Sequence, residues 1–181
     1  TINDKPFVYV VGGGKFLNIP YETKSEEKKK DGYLAYIKAG LSEILNKELK
    51  GNVAVKVHSG EAGNQNYIKP QMYQDIISHL NATVVECNTA YEGARNTTEK
   101  HLELMKEHKW NEYFNVDILD SESEEVLENP NGNIIKKNYV GAKMKNYDSM
   151  LVLSHFKGHP MGGFGGALKN VIALAAGIID G

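Results

Sequence analysis

Three short apolar runs constrain this chain more than any other feature: "NVAVKVHSG" (52–60), "ATVVECN" (82–88) and "SMLVLSH" (149–155). Each is rich in β-branched or aliphatic residues, is too short for a buried helix, and leads into polar or turn-forming residues, which marks a strand. Between the first two, residues 69–82 carry Met72, Ile76, Ile77 and Leu80 at helical spacing. Residues 97–109 read as a polar helix with Leu102 and Met105 facing inward, and "VDILD" (116–120) as a further strand. Earlier in the chain, "FVYVVGGG" (7–14) reads as a strand. Residues 31–50 form an amphipathic helix pattern on Leu34, Ile37, Leu41, Leu45 and Leu49. Residues 166–178 form an apolar helix pattern. Strands alternating with helices specify an α/β fold, a mostly parallel sheet flanked by helices. "EEVLENPNGNIIKKNYV" adds a β-hairpin near residues 124–140 around Asn131-Gly132, at a sheet edge or as a small flap.

The 181 residues suit a single α/β domain spanning 1–181, and 41% hydrophobic residues suffice for one packed core. The sequence stops at Gly181 as its last helix pattern ends, which reads as the N-terminal part of a longer protein. Its start at Thr1 leaves room for a removed leader. Cytoplasm is the favoured location, with no signal-peptide pattern visible. A net charge of −2 and a pI near 6.3 give no electrostatic basis for a nucleic-acid partner. The lysine cluster "KSEEKKK" (24–30) is interleaved with glutamate and reads as a solvated segment. No apolar stretch approaches the ~20 residues of a membrane span, so no membrane partner is expected.

Parallel sheets place their ligand sites beyond the C-terminal ends of the strands. The strand patterns deliver Gly12–Gly14, then His58, Ser59 and Glu61, then Asn88 with Tyr91 and Arg95 beyond, and finally Ser154, His155, Lys157 and His159. The crevice expected there would take an anionic small molecule, a nucleotide-like cofactor or a divalent metal. His58, His159 and Lys169 are the candidate catalytic groups. Gly162, Gly163, Gly165 and Gly166, with Lys157, Asn88 and Arg95, are the candidate cofactor contacts. His155 and His159 are the candidate metal ligands, in a loop because Gly158 and Pro160 interrupt any helix.

The bland alternatives stand beside these. His58 would cap a strand end through a backbone group, Lys56 would lie at an edge or reach to water, Arg95 would hold a carboxylate such as Glu92, and Glu61 would face solvent. "GGFGGALKN" matches neither the phosphate-cradling Gly-Lys-Ser/Thr loop nor the full dinucleotide fingerprint, since Leu168 stands where each needs another residue. Its glycines would either expose backbone N–H groups to an anion or allow tight turns. Cys87 is the single cysteine, in a buried-strand pattern, and reads as a small core residue.

"VKVHSGEAGNQNYIKP" (55–70), "NTAYEGARNTTEKHLELMKEHKW" (88–110) and "VLSHFKGHPMGGFGGALKN" (152–170) together resemble the domain of unknown function 362 family. That resemblance implies an association with iron–sulphur proteins and electron transfer, because many members carry ferredoxin-type cysteines. This chain departs from it: after "GGALKN" the family's Gly-Met-Gly-Cys-like stretch is replaced by "VIALAAGIIDG". An iron–sulphur cluster is therefore not expected within this chain, and a binding module that has lost its chemistry becomes a third reading. The segment from His159 through "GGFGGALK" to Lys169 is also similar to a segment of the nickel-pincer lactate racemases. That likeness implies a metal or cofactor contact for His159 and a cofactor contact for Lys169.

Overall fold

The computed structural model describes residues 49–155, 157–159 and 163–165. The chain divides into two units, Thr1–Glu48 and Leu49–Gly181, and every described residue belongs to the second. The strand expected at 7–14, the lysine cluster at 24–30, the helix at 166–178 and all but the last two residues of the helix expected at 31–50 lie outside the described residues, as do Gly162, Gly166 and Lys169; Leu49 and Lys50 are not helical.

Four strands, β1 (Val53–Lys56), β2 (Thr83–Glu86), β3 (Val116–Ile118) and β6 (Ser149–Val152), form one parallel sheet in the order β3-β2-β1-β6. Ala54 lies opposite Thr83 on one side and Met150 on the other, so β1 is an interior strand. Helix α1 (Gln74–Leu80) connects β1 to β2, preceded by a 3₁₀ turn at Pro70–Met72 that begins on a proline. Proline suits this position, where its missing N–H costs no helical bond. Helices α2 (Thr98–Glu107) and α3 (Trp110–Tyr113) connect β2 to β3. The Thr97 hydroxyl accepts from the Lys100 N–H and caps α2. Lys109, at φ 66°, turns the chain sharply from α2 into α3. The α/β class and its mostly parallel sheet are as the sequence specifies.

On one face of the sheet, Val55, Val57, Val84 and Ile118 pack with Tyr73, Ile77, Met105 and Trp110 from the helices. On the other, Ala54, Val85 and Leu119 cluster with Met150, Tyr147 and Cys87. Two sequence expectations change here. Lys56 is not at an edge; it is buried within an interior strand. Leu102 does not face inward but is 37% exposed, and the inward face of α2 and its cap is His101, Leu104, Met105 and His108. That face is set one residue back from the apolar pattern, because it carries two imidazoles that bond to Ser59.

Strands β4 (Glu124–Glu128) and β5 (Lys137–Gly141) form the expected hairpin as a separate two-stranded antiparallel sheet, not an edge of the main one. Asn131-Gly132 is not its two-residue turn. The connection has eight residues, 129–136, closed by Asn129 N–H to Lys136 C=O and folded inside by Gly132 N–H to Asn129 C=O. Pro130 holds the second position of that inner turn, which its fixed φ favours. At its root, Gly141 lies so close to Leu119 that an added Cβ would meet the Leu119 carbonyl carbon at 2.4 Å. Strands β7 (Lys157–His159) and β8 (Gly163–Gly165) form another antiparallel pair, with His159 opposite Gly163. The pair takes the place of the open loop expected around His159.

Gly141→Ala should destabilise the protein by about 1–3 kcal/mol, because backbone atoms cannot move aside as a side-chain tip would. Urea unfolding of the two proteins measures the difference. An unchanged midpoint would contradict the close approach of the hairpin root to β3.

Candidate functional site

The four parallel strands end along one rim, and the segments that leave β1, β2 and β3 are tied together there by polar groups, most of them buried. The chain leaving β1 passes through Val57, His58, Ser59 and Gly60. Ser59 is fully buried and uses every polar atom it has. Its N–H donates to Glu86 Oε1 at 2.7 Å. Its carbonyl accepts from His108 Nδ1 at 2.9 Å and Trp110 Nε1 at 3.0 Å. Its hydroxyl lies 3.2 Å from His101 Nε2. Gly60, at φ +102°, turns the chain against a stack of Tyr67 on His108, whose rings lie 4.3 Å apart. A Cβ on Gly60 would come within 2.9 Å of both rings.

The direction of each bond around His101 follows from its neighbours. Asn88 Nδ2 donates to the Thr98 hydroxyl at 3.0 Å, so Asn88 Oδ1 faces His101 Nδ1, at 3.4 Å. An amide oxygen only accepts, so Nδ1 carries the proton and Nε2 accepts from the Ser59 hydroxyl. Burial lowers the His101 pKa and keeps the ring neutral, against the opposing pull of Glu86. The Ser59–His101–Asn88 string has the connectivity of a nucleophile relay, but Ser59 and His101 are both fully buried, and the string serves to lock the turn after β1 onto α2.

Glu86 is the electrostatic centre. Its carboxylate accepts from Lys56 Nζ and the Ser59 N–H, and Arg95 Nη1 lies 3.6 Å away. Burial alone would raise its pKa. The charges of Lys56 and Arg95 and the hydrogen bonds from Lys56 and Ser59 overcome that and bring it down to about 2. Arg95 bridges outward to Glu61, which also accepts from the Tyr91 hydroxyl at 3.0 Å. Burial opposes ionisation of Glu61, but Arg95 and Tyr91 hold its pKa below the ordinary value. Two cations and two carboxylates thus balance in a small volume. Arg95 Nε is buried without a hydrogen-bond partner.

Several sequence readings resolve at this rim. Arg95 does hold a carboxylate, though Glu61 and Glu86 rather than Glu92, which accepts from Asn96. Glu61 is drawn into the cluster rather than simply facing solvent. Asn88 turns its side chain inward to Thr98 and His101, while its N–H donates to Asp120 at 3.0 Å. His58 Nδ1 accepts from the Gly60 N–H at 3.3 Å, a backbone cap at the strand end. His155 follows β6 at the same rim, because Lys56 and Val152 are paired and both strands run the same way. Lys157 and His159 lie in β7 and Gly163 and Gly165 in β8. Burial and Asp120 push the Cys87 thiol up to about 11, so it is inert at neutral pH.

Sequence reasoning missed Glu86, His101, His108 and Trp110. The signal was present for Glu86: a carboxylate inside a buried-strand pattern demands a buried partner, and "VAVKV" offers a lysine in the neighbouring strand.

Residues 53–179 match the family model described as Domain of unknown function (DUF362), and the chain belongs to that family. No curated protein and no solved structure matches it. The likeness of 159–169 to the lactate racemases therefore rests on that segment alone. An iron–sulphur cluster does not fit these 181 residues: such clusters are held by several thiolates, and Cys87 is the single cysteine, partly buried, with its thiol pushed up to about 11. Among the described residues, no three His, Cys, Asp or Glu side chains gather as a ready metal site.

Glu86→Gln leaves Lys56 and Arg95 short of a buried counter-charge and should cost about 3–5 kcal/mol of stability. Because the folded pKa of Glu86, about 2, lies below its ordinary 4.5, its contribution is complete above about pH 4.5 and is lost as pH falls toward 2. Denaturant titrations at stepped pH should give the wild type a steeper acid loss than the variant. Parallel acid limbs would contradict the pairing.

Proposed function

We propose that this domain binds an anionic small molecule, a nucleotide-like cofactor or a divalent metal at the rim between the ends of β1 and β6. The observation that carries this reading is the strand order. From β1 the chain builds outward through β2 to β3, then returns to the opposite side of β1 to lay down β6. A reversal of this kind is where parallel sheets commonly open a ligand crevice at the carboxyl ends of their strands, which supports a site between β1 and β6.

The residues that follow the two flanking strands support the reading. His58 stands two residues beyond Lys56, and Ser154 and His155 two and three beyond Val152, the residue paired with Lys56. Two imidazoles and a hydroxyl on adjacent strand ends suit a metal ion, or proton transfer to a bound anion. The clamped turn at Ser59 would hold the backbone of His58 still, so a ligand need not order it on binding. Arg95 and Asn88 act in this reading as positioning groups behind the rim, since their side chains are engaged with Glu61, Glu86, Thr98 and His101. His159, Lys157 and Lys169 belong in sequence to the segment that follows β6.

A non-catalytic binding module is the second reading. The charge balance of the Lys56–Glu86–Arg95–Glu61 cluster favours it, because no unbalanced cation remains there to attract an anion.

A thermal-shift series with inorganic phosphate, nucleotides, Mg²⁺, Mn²⁺, Ni²⁺ and Zn²⁺ tests the binding claim. A ligand at 100 times its Kd should stabilise the protein by about 2.7 kcal/mol. His58→Ala and His155→Ala should each remove most of that shift. A shift that survives both substitutions places the ligand elsewhere, and no shift with any of these probes contradicts the proposal.

A further inference from the structure

The β4–β5 hairpin carries features that the rim does not use. All five residues of β4 are exposed, and large apolar side chains stand in water on it: Val126 at 40%, Tyr139 at 61% and, in the connection, Ile134 at 86% exposure. A lone two-stranded ribbon is marginal in water unless something covers a face. Antiparallel pairing puts Val126 opposite Tyr139 and Glu128 opposite Lys137. Side chains alternate across a strand, so these four residues share one face. Asn138 and Val140, on the other face, are partly buried. Leu127, on that same face, is 42% exposed, so both faces of the ribbon meet water, and the Val126–Tyr139 face carries the more exposed ring, Tyr139 at 61%.

We infer that this face is a self-association surface, and that its occupant is the same hairpin of a second copy of the chain. Charge complementarity selects both the partner and its orientation. Consider a two-fold axis parallel to the strands, lying between two stacked ribbons. It exchanges the positions of β4 and β5 and preserves height along the strand. Glu128 of each copy then lies over Lys137 of the other, and Val126 over Tyr139. The Glu128–Lys137 ion pair within each ribbon, 3.3 Å apart, becomes half of a ring of four alternating charges. A two-fold axis across the strands would instead stack β4 on β4 and set Glu124 over Glu128. That acid-on-acid contact opposes the arrangement. A closed two-fold pairing also uses the face once per copy and ends at a dimer.

The surface is small. Five residue pairs span about 17 Å at the usual strand rise. Such a patch falls well short of the roughly 800 Å² per partner of a standard interface, so the dimer is weak and reversible. Gly141 lies on this same face, and the Leu119 backbone stands where its Cβ would go, so the inner end of the face is covered by the domain and the stack runs outward from Val126 and Tyr139.

Sedimentation equilibrium over a wide concentration range tests the inference. The wild type should move from monomer toward dimer as concentration rises. Glu128→Lys and Lys137→Glu should each weaken association by about tenfold or more, since each sets like charges across the stack. Both positions are exposed, so the fold should tolerate either change. An equimolar mixture of the two variants should associate again, because each opposing pair then joins one lysine to one glutamate. A wild type that stays monomeric at every concentration overturns the inference. So does a dimer indifferent to both substitutions, or a mixture that associates no better than its components.

Discussion

Everything at the rim of this sheet depends on a carboxylate that is out of water yet fully charged. Glu86 sits at the end of an interior strand, where burial alone would favour its neutral form. It stays ionised because Lys56 reaches it from the adjacent strand, Arg95 from the segment after β2, and the Ser59 N–H from the turn after β1. One side chain thus gathers three separate pieces of chain. An apolar residue could fill the same volume, and buried ion pairs seldom add net stability over such a replacement. What the charge adds is selection: only one path for the 57–61 turn brings an N–H to that oxygen.

Ser59 carries the constraint from Glu86 to the helices. Its carbonyl is shared by His108 and Trp110, and its hydroxyl by His101. The polar ties and the apolar packing converge, since Trp110 also packs with Val55 and Val57. His58 and Gly60 are held by this arrangement without belonging to it. A rim of this kind is pre-shaped, and pre-shaping removes one entropic cost of binding.

The sequence was most informative where one principle acted alone. Strand runs such as "VAVKV" and "TVVE" declared themselves by length and branching, and the alternation of strands with helices gave the parallel sheet. It was least informative where two principles competed. The α2 face was misjudged at Leu102 because hydrophobicity pointed one way and the hydrogen-bond needs of His101 and His108 pointed another. A lone lysine among valines reads as lying at an edge or reaching to water, but the partner of Lys56 lies thirty residues away, and no local pattern connects them. The Asn131-Gly132 signal correctly marked the hairpin, and its turn lies inside a longer, eight-residue connection that Pro130 helps to shape. For the candidate site, His58, Asn88 and Arg95 were legible as residues that follow strands. Which of them point inward was not, since that depends on pairings across the fold.

The bond from Asn52 N–H to Asp148 spans 96 positions of sequence, and β6 joins the sheet only beyond it. During synthesis from the N-terminus, β1 therefore emerges long before the strand that will cover its second side. Through that interval its unpaired backbone offers a template to any other extended chain, as open strand edges do. Lys56 lies in the middle of this apolar stretch and would carry its charge into any such mispairing. The residue that later neutralises Glu86 inside the finished domain would thus also oppose mispairing of the nascent one.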